Sequence, residues 1–360
     1  MRTIPVPSSQ ASVGELSTPA LVVDLDVFEA NVEAMEAMLR GTGKTIRPHV
    51  KTHRTPELAR RQLGGGAVGV TCATVGEAEA MVEAGIEDLL IANEVVDPSK
   101  IARLAALAHR ARIAVAVDDP APVMTLSREA ARAGVTIDVL IDVDILLHRC
   151  GVASAADALS LARAIDQAPL INLRGIMGYE GRLRLGDEDR AARIADAYAT
   201  LGEIRATLVD SGFPVEVVSA AGTSTLPEAL ADPWITEIQA GVYSLMEPEL
   251  LNLGLPFRCA VAIRGSVISR HPGRLVLDLG RRVVGMEYGP PIPIGFAADR
   301  IAVSDEHATI TLSDSPPLGS RLDLAPGQIR TTFNLHDQVW VSRAGQIVDR
   351  WPITARGSSQ

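Results

Sequence analysis

At 360 residues, 47% hydrophobic and 22% charged, the chain has the make-up of a soluble globular protein large enough for two domains. Its net charge of −10 sets aside nucleic acid and anionic membrane as partners, since both are engaged through basic surfaces. Three scattered cysteines (Cys72, Cys150, Cys259) form no CxxC pair, and no apolar run reaches about 18 residues. With no apolar leader after Met1, these features predict a cytoplasmic protein without a cysteine-based zinc module.

From residue 19 to about 245, β-branched runs alternate with amphipathic helical segments. Strands are predicted at Ala20–Val23, Thr45–Val50, Ala67–Cys72, Asp88–Ala92, Ile113–Val117, Thr136–Asp142, Leu173–Tyr179, Val215–Ser219 and Glu237–Gln239. Helices are predicted at 26–39, 55–62, 75–84, 98–111, 155–167 and 187–211. In the third of these, Val75, Ala78, Met81 and Val82 share one face. Alternation at this pace implies parallel βαβ units, and eight of them suit a closed (β/α)8 barrel. No GxGxxG follows the first strand, which counts against a dinucleotide fold. Beyond about residue 250, β-type runs at 260–270, 274–279, 301–304, 308–312 and 338–342 are separated by turn residues. A hairpin is predicted over Arg343–Gln346. The expected division is a barrel over 15–250 and a C-terminal antiparallel β domain over 251–360, with residues 1–14 packed on the latter.

Reactive groups of such a barrel lie at the C-terminal ends of its strands. Lys51 falls there, at the end of Arg47-Pro48-His49-Val50-Lys51-Thr52-His53. Nearby positive charge (Arg47, Arg54, His53) and partial burial both favour a neutral amine, the form that makes Schiff bases with carbonyls. Asn93, Arg149, Tyr179 and Ser219 also fall at strand ends. Gly222-Thr223-Ser224-Thr225 is a small-residue loop able to offer N–H groups and hydroxyls to a phosphate, though an ordinary strand-to-loop turn looks the same. A buried Arg149 needs an acceptor, for which Asp144 is the near candidate; Tyr179 reads equally as a core ring.

Together these segments resemble the fold-type III pyridoxal 5′-phosphate (PLP) enzymes of the D-threonine aldolase / D-serine dehydratase group, relatives of alanine racemase in the barrel. The likeness rests on Thr18–Leu25, Arg47–His53, His148-Arg149-Cys150-Gly151-Val152, Gly175–Gly181, Ser219–Thr225, Gln239-Ala240-Gly241-Val242-Tyr243 and Asn334-Leu335-His336-Asp337, in order over nearly the whole chain. The resemblance implies a PLP-binding barrel with Lys51 as the Schiff-base lysine, Arg149 at the pyridine nitrogen and Tyr179 against the cofactor. It places Ser219, Gly222, Thr223, Gly241, Val242 and Tyr243 around the phosphate. It also implies lyase chemistry on a small D- or β-hydroxy-amino acid, with Lys51 as base and Tyr179 or His336 moving the second proton. A homodimer is implied, the β domain of one subunit facing the barrel of the other. A dehydratase-like deaminase, an amino-acid racemase and a non-catalytic PLP-binding protein remain alternatives.

One departure bears on the reaction. The family carries a divalent metal on a His-x-Cys or His-x-Asp pair just before the Asn-Leu segment, where this chain has Gln328 and Arg330. Arg cannot coordinate a metal and Gln alone does so poorly, so no metal ligands are assigned; Asp323 and His336 are the nearest replacements. Arg330 is expected to supply a fixed positive charge, as a carboxylate clamp or beside a β-hydroxyl, or else to pair with an acid such as Asp337. Two smaller departures are Leu146, where the family usually has Gly, and Val242, where it usually has Ser.

Overall fold

Four successive strand-to-helix turns carry their helix caps in the sequence, and each cap forms as its residue type dictates. Thr74 accepts from the Glu77 N–H at 3.1 Å, Asp97 from Ser99 at 2.7 Å, Asp119 from Ala121 at 2.7 Å and Ser154 from Asp157 at 3.1 Å. Each satisfies an N–H that the helix itself leaves unpaired. Pro98 and Pro120, one residue after their caps, bring a pre-set φ and no N–H to waste. This computed structural model describes residues 12–181, 183 and 186–360.

In chain order the strands are β1 (Ala20–Asp24), β2 (Thr45–Ile46), β3 (Val70–Cys72), β4 (Asp88–Glu94), β5 (Arg112–Val117), β6 (Ile137–Val143), β7 (Ile171–Gly178), β8 (Val217–Ala220) and β9 (Glu237–Ile238). They continue with β10 (Val261–His271), β11 (Arg274–Leu277), β12 (Ile292–Ile294), β13 (Arg300–Val303), β14 (Ala308–Thr311), β15 (Arg321–Ala325), β16 (Gln338–Arg343) and β17 (Gln346–Pro352). The helices are α1 (Leu25–Leu39), α2 (Pro56–Gly64), α3 (Val75–Glu83), α4 (Pro98–Leu107), α5 (Pro120–Ala133), α6 (Ala155–Asp166), α7 (Arg190–Asp210), α8 (Leu226–Ala231) and α9 (Ile329–Leu335). Two compact units result. One holds Glu36–Lys51, Ala59–Gly241 and Ser358–Gln360; the other holds the described residues up to Met35, Thr52–Leu58 and Val242–Gly357.

The first unit is the barrel. Its eight strands pair in parallel in the order β2-β9-β8-β7-β6-β5-β4-β3. The ring closes through the chain just after β2: Val68 N–H donates to Ile46 O at 3.0 Å, Thr71 N–H to Pro48 O at 2.9 Å, and His49 bridges Thr71. Inside, Leu90, Ala116, Leu140 and Met177, one from each of β4 to β7, form a packed apolar layer. Next to it lies a polar cluster on Arg47, 8% exposed, which pairs with Glu237 at 2.8 Å and Asp88 at 2.6 Å. A buried guanidinium is tolerable only with such partners. Gly69 is required there, since a Cβ would run into Arg47 Nη1 and lie 2.6 Å from the Asp88 carbonyl.

The second unit is a nine-stranded sheet in the order β13-β14-β11-β10-β1-β16-β17, with β15 paired to β10 and β12 to β15. Here the structure corrects the sequence reading. Ala20–Val23, expected as the first barrel strand, belongs to this sheet, with Leu21 opposite Ile263 and Val23 opposite Val341. The β1–β16 pair is parallel, so the sheet is mixed rather than purely antiparallel. Leu16, Ala20, Val22, Trp340 and Ile347 pack together on it. Of the segment 1–14 expected on this unit, Ser12 bridges Gln346 and Val13 N–H donates to Gly345 O at 3.0 Å; residues 1–11 lie outside the described residues. Among the described residues no helix is long and apolar enough to cross a membrane.

Candidate active site

β2 stops at Ile46, and Pro48 turns the chain into a 3-10 turn, Val50–Thr52, that presents Lys51 at the C-terminal end of the strand. The Lys51 Nζ lies 6.0 Å from the centre of the Tyr179 ring, which projects from the end of β7. The same ring faces the loop after β8: a Cβ built on Gly222 would meet Tyr179 Cε2 at 3.6 Å and its hydroxyl at 3.8 Å. Lysine, tyrosine and the Gly222–Thr225 turn are therefore brought together from β2, β7 and β8. The positive neighbours expected around Lys51 are engaged elsewhere: Arg47 with Glu237 and Asp88, Arg54 with Asn334.

Ser219 is fully buried at the end of β8. Its hydroxyl donates to Glu237 at 2.7 Å and accepts from Gln239 Nε2 at 2.9 Å, which links it to the Arg47 cluster. Thr223 is buried in the turn Thr223–Thr225. Gly241 ends the barrel unit. Val242 and Tyr243 belong to the other unit, in a buried 3-10 turn where the Tyr243 ring stands 5.5 Å from that of Phe257. Asn93 is exposed and donates to the Ala73 carbonyl at 3.0 Å.

Arg149 differs from expectation. It is exposed rather than buried, and Asp144 pairs instead with His148, whose Nδ1 lies 3.0 Å from the carboxylate. The groups that feel the Arg149 charge are Asp142 and Cys150. Asp142, 7% exposed at the end of β6, is pushed up to about 8 by burial and by the hydrogen-bonded Glu94 carboxyl from β4; Arg149 opposes that rise. Burial and Glu94 also push the Cys150 thiol up to about 11, so it is not a thiolate nucleophile. Sequence reasoning missed this Glu94–Asp142 pair. Its signal was available as two carboxylates, each near the C-terminal end of a barrel strand.

The second unit holds Gln328 and Arg330. Gln328 is 7% exposed, and its side-chain oxygen accepts the Thr331 N–H at 2.6 Å, capping α9. Arg330 donates to the Tyr288 hydroxyl at 2.9 Å, stacks 5.4 Å above that ring and lies 3.6 Å from the Glu247 carboxylate. Its acid is thus Glu247; Asp337 pairs with Arg356 at 2.7 Å. Of the two replacement donors, Asp323 is committed to an ion pair. Asp323 takes both arms of Arg264, at 2.7 and 2.6 Å. His336 is held neutral by burial, and its Nε2–H donates to the Val283 carbonyl at 2.8 Å. Among the described residues no group of three or more His, Cys, Asp or Glu is arranged to hold a metal ion. The residues at 328 and 330 do not fit a divalent metal.

Comparison with known proteins now bears on this arrangement. Residues 23–247 match the alanine racemase N-terminal domain, and residues 260–342 a putative serine dehydratase domain. The chain belongs to the D-threonine aldolase / D-serine dehydratase-like family of fold-type III PLP enzymes. It is 38% identical to D-threonine aldolase of Arthrobacter sp. over 97% of this chain and 95% of that one. It is 32% identical to 3-hydroxy-D-aspartate aldolase of Paracoccus denitrificans (strain Pd 1222), over 95% and 93%. The crystal structure of D-threonine aldolase from Filomicrobium marinum superposes with a TM-score of 0.94 at 36% identity, covering 98% of this chain and 99% of that one. As a member of this family the chain is a PLP-dependent lyase. The donor set fits the cofactor: a strand-end amine for an aldehyde, an aromatic ring beside it, and a turn of hydroxyls and N–H groups for a phosphate.

Proposed function

We propose that this lyase cleaves the Cα–Cβ bond of a small D-configured β-hydroxy-amino acid, releasing glycine and an aldehyde, and that it does so without a divalent metal on residues 328 and 330. The observation that carries the reading is the meeting of Lys51, Tyr179 and the Gly222–Thr225 turn at the C-terminal end of the barrel. Lys51 would hold the cofactor's aldehyde, Gly222, Thr223 and Gly241 its phosphate, and Arg149 its ring nitrogen. Bound PLP supplies a linkage to the substrate amine and a sink for the electron pair released at Cα.

The residues then have these tasks. Lys51 would be the base that accepts the β-hydroxyl proton as the Cα–Cβ bond breaks and the hydroxyl carbon becomes a carbonyl. The departing carbon leaves its bonding pair at Cα, which takes up one proton to give glycine. Tyr179 carries that proton, because the Nε2 hydrogen of His336 is committed to the Val283 carbonyl. Arg330, steadied by Tyr288 and Glu247, is a fixed guanidinium of the kind that clamps a carboxylate. The protein acts as a homodimer.

The match of residues 260–342 to a serine dehydratase domain favours β-elimination as a second reading. Product analysis separates the two. D-threonine or 3-hydroxy-D-aspartate with the PLP-loaded protein should yield glycine and an aldehyde; ammonia and a 2-oxo acid would instead establish elimination. Sedimentation giving a monomer at assay concentration would remove the dimer.

A further inference from the structure

Glu180 follows Tyr179 directly, is 2% exposed, and has no part in the chemistry just described. Its Oε1 receives the hydroxyl of Thr225, and the Gly222 N–H also points at this carboxyl. The Thr225 hydroxyl in turn accepts the Gly222 N–H at 3.2 Å. One carboxyl therefore holds both ends of the turn that faces the Tyr179 ring. From the far side Arg190 grips the Ser224 carbonyl at 2.5 Å and pairs with Glu228. The Tyr198 hydroxyl from α7 interacts with the same carboxyl. Burial pushes Glu180 above the usual carboxylate range.

We infer that Glu180 is a positioning residue for the cofactor's phosphate: it ties the Gly222–Thr225 turn to the end of β7 and so fixes the turn's N–H groups and hydroxyls relative to Tyr179. The inference rests on the PLP reading above. It predicts an effect confined to the phosphate, because Glu180 supports the turn and not Lys51. Glutamine keeps the shape and an acceptor oxygen for Thr225 and Gly222, so Glu180→Gln should retain most of the parent's PLP affinity.

The test is equilibrium binding of PLP and of phosphate-free pyridoxal, each followed by the absorbance of the Lys51 imine. Glu180→Ala should weaken PLP by about tenfold, the worth of one or two lost hydrogen bonds, and leave pyridoxal within about twofold. Thr225→Val breaks the same tie from the other side and should reproduce this loss, carrying the test if Glu180→Ala does not fold. The double variant should lose little more than either single one. Equal weakening of both ligands, or none of either, overturns the positioning role while the PLP reading stands. A parent protein that forms no imine with PLP removes both together.

Discussion

The barrel's strand-end site and the position held by Gln328 and Arg330 make an instructive contrast. In the barrel, Lys51, Tyr179 and the Gly222–Thr225 turn meet at strand ends, and the supporting charges are already paired: Arg47 with Glu237 and Asp88, Ser219 with Glu237. At 328 and 330 the donors expected for a metal are gone. What replaces them is also well built, since Gln328 caps α9 and Arg330 is fixed by Tyr288 and Glu247. A helix cap and a braced guanidinium occupy the two positions, and the guanidinium is a fixed positive charge.

The contrast can be broken first at Lys51. Lys51→Ala should abolish the imine absorbance and lower turnover on the order of 10³-fold or more, measured by glycine release. Retained turnover would remove the barrel site from the account. Gly69→Ala probes the paired charges behind that site. A Cβ there displaces Arg47, and thermal or urea unfolding should show a loss of about 3 kcal/mol.

Arg330→Ala addresses the other side of the contrast. It should lower kcat/KM by about tenfold for a substrate with a side-chain carboxylate, and by less for D-threonine. Equal constants for both substrates, unchanged from the parent, would reduce Arg330 to a structural ion pair with Glu247.

A pH-dependent effect concerns Asp142. Its folded pKa is raised above the unfolded value of 3.8 to about 8, so between these pH values the folded protein holds a proton that the unfolded chain has lost. Stability from this group is therefore full below the unfolded pKa and falls as pH rises toward the folded one, by up to about 1.4 kcal/mol per pH unit. Asp142→Asn should flatten that slope in urea titrations run at several pH values; an unchanged slope would place the proton elsewhere.

Much of the barrel was legible because its signals are local. Capping residues and prolines mark where α3, α4 and α6 begin, and β-branched runs mark the strands. What failed did so for tertiary reasons. Ala20–Val23 runs straight into α1 and so looks like one more βα unit; nothing local tells which sheet will pair with it. The start of α5 is marked by Asp119 and Pro120 but was passed over, and β12 was hidden by Pro293 within it. In the site, Lys51 and Tyr179 were readable from their places at strand ends. The Glu94–Asp142 pair and Glu180 were harder to read, because which acids meet depends on neighbours from other strands. Arg149 was expected to be buried because it follows a buried strand, but the chain turns outward at Leu147 and leaves it exposed.

The central claim is a PLP lyase whose working parts lie at the barrel strand ends and which needs no metal on residues 328 and 330. The most direct test is the rate of aldehyde and glycine formation from D-threonine and 3-hydroxy-D-aspartate by PLP-loaded protein, after exhaustive chelation and again with added Mn²⁺. The account predicts cleavage of at least one substrate at the same rate in both conditions. Cleavage that appears only with Mn²⁺, or none in either condition, would contradict it.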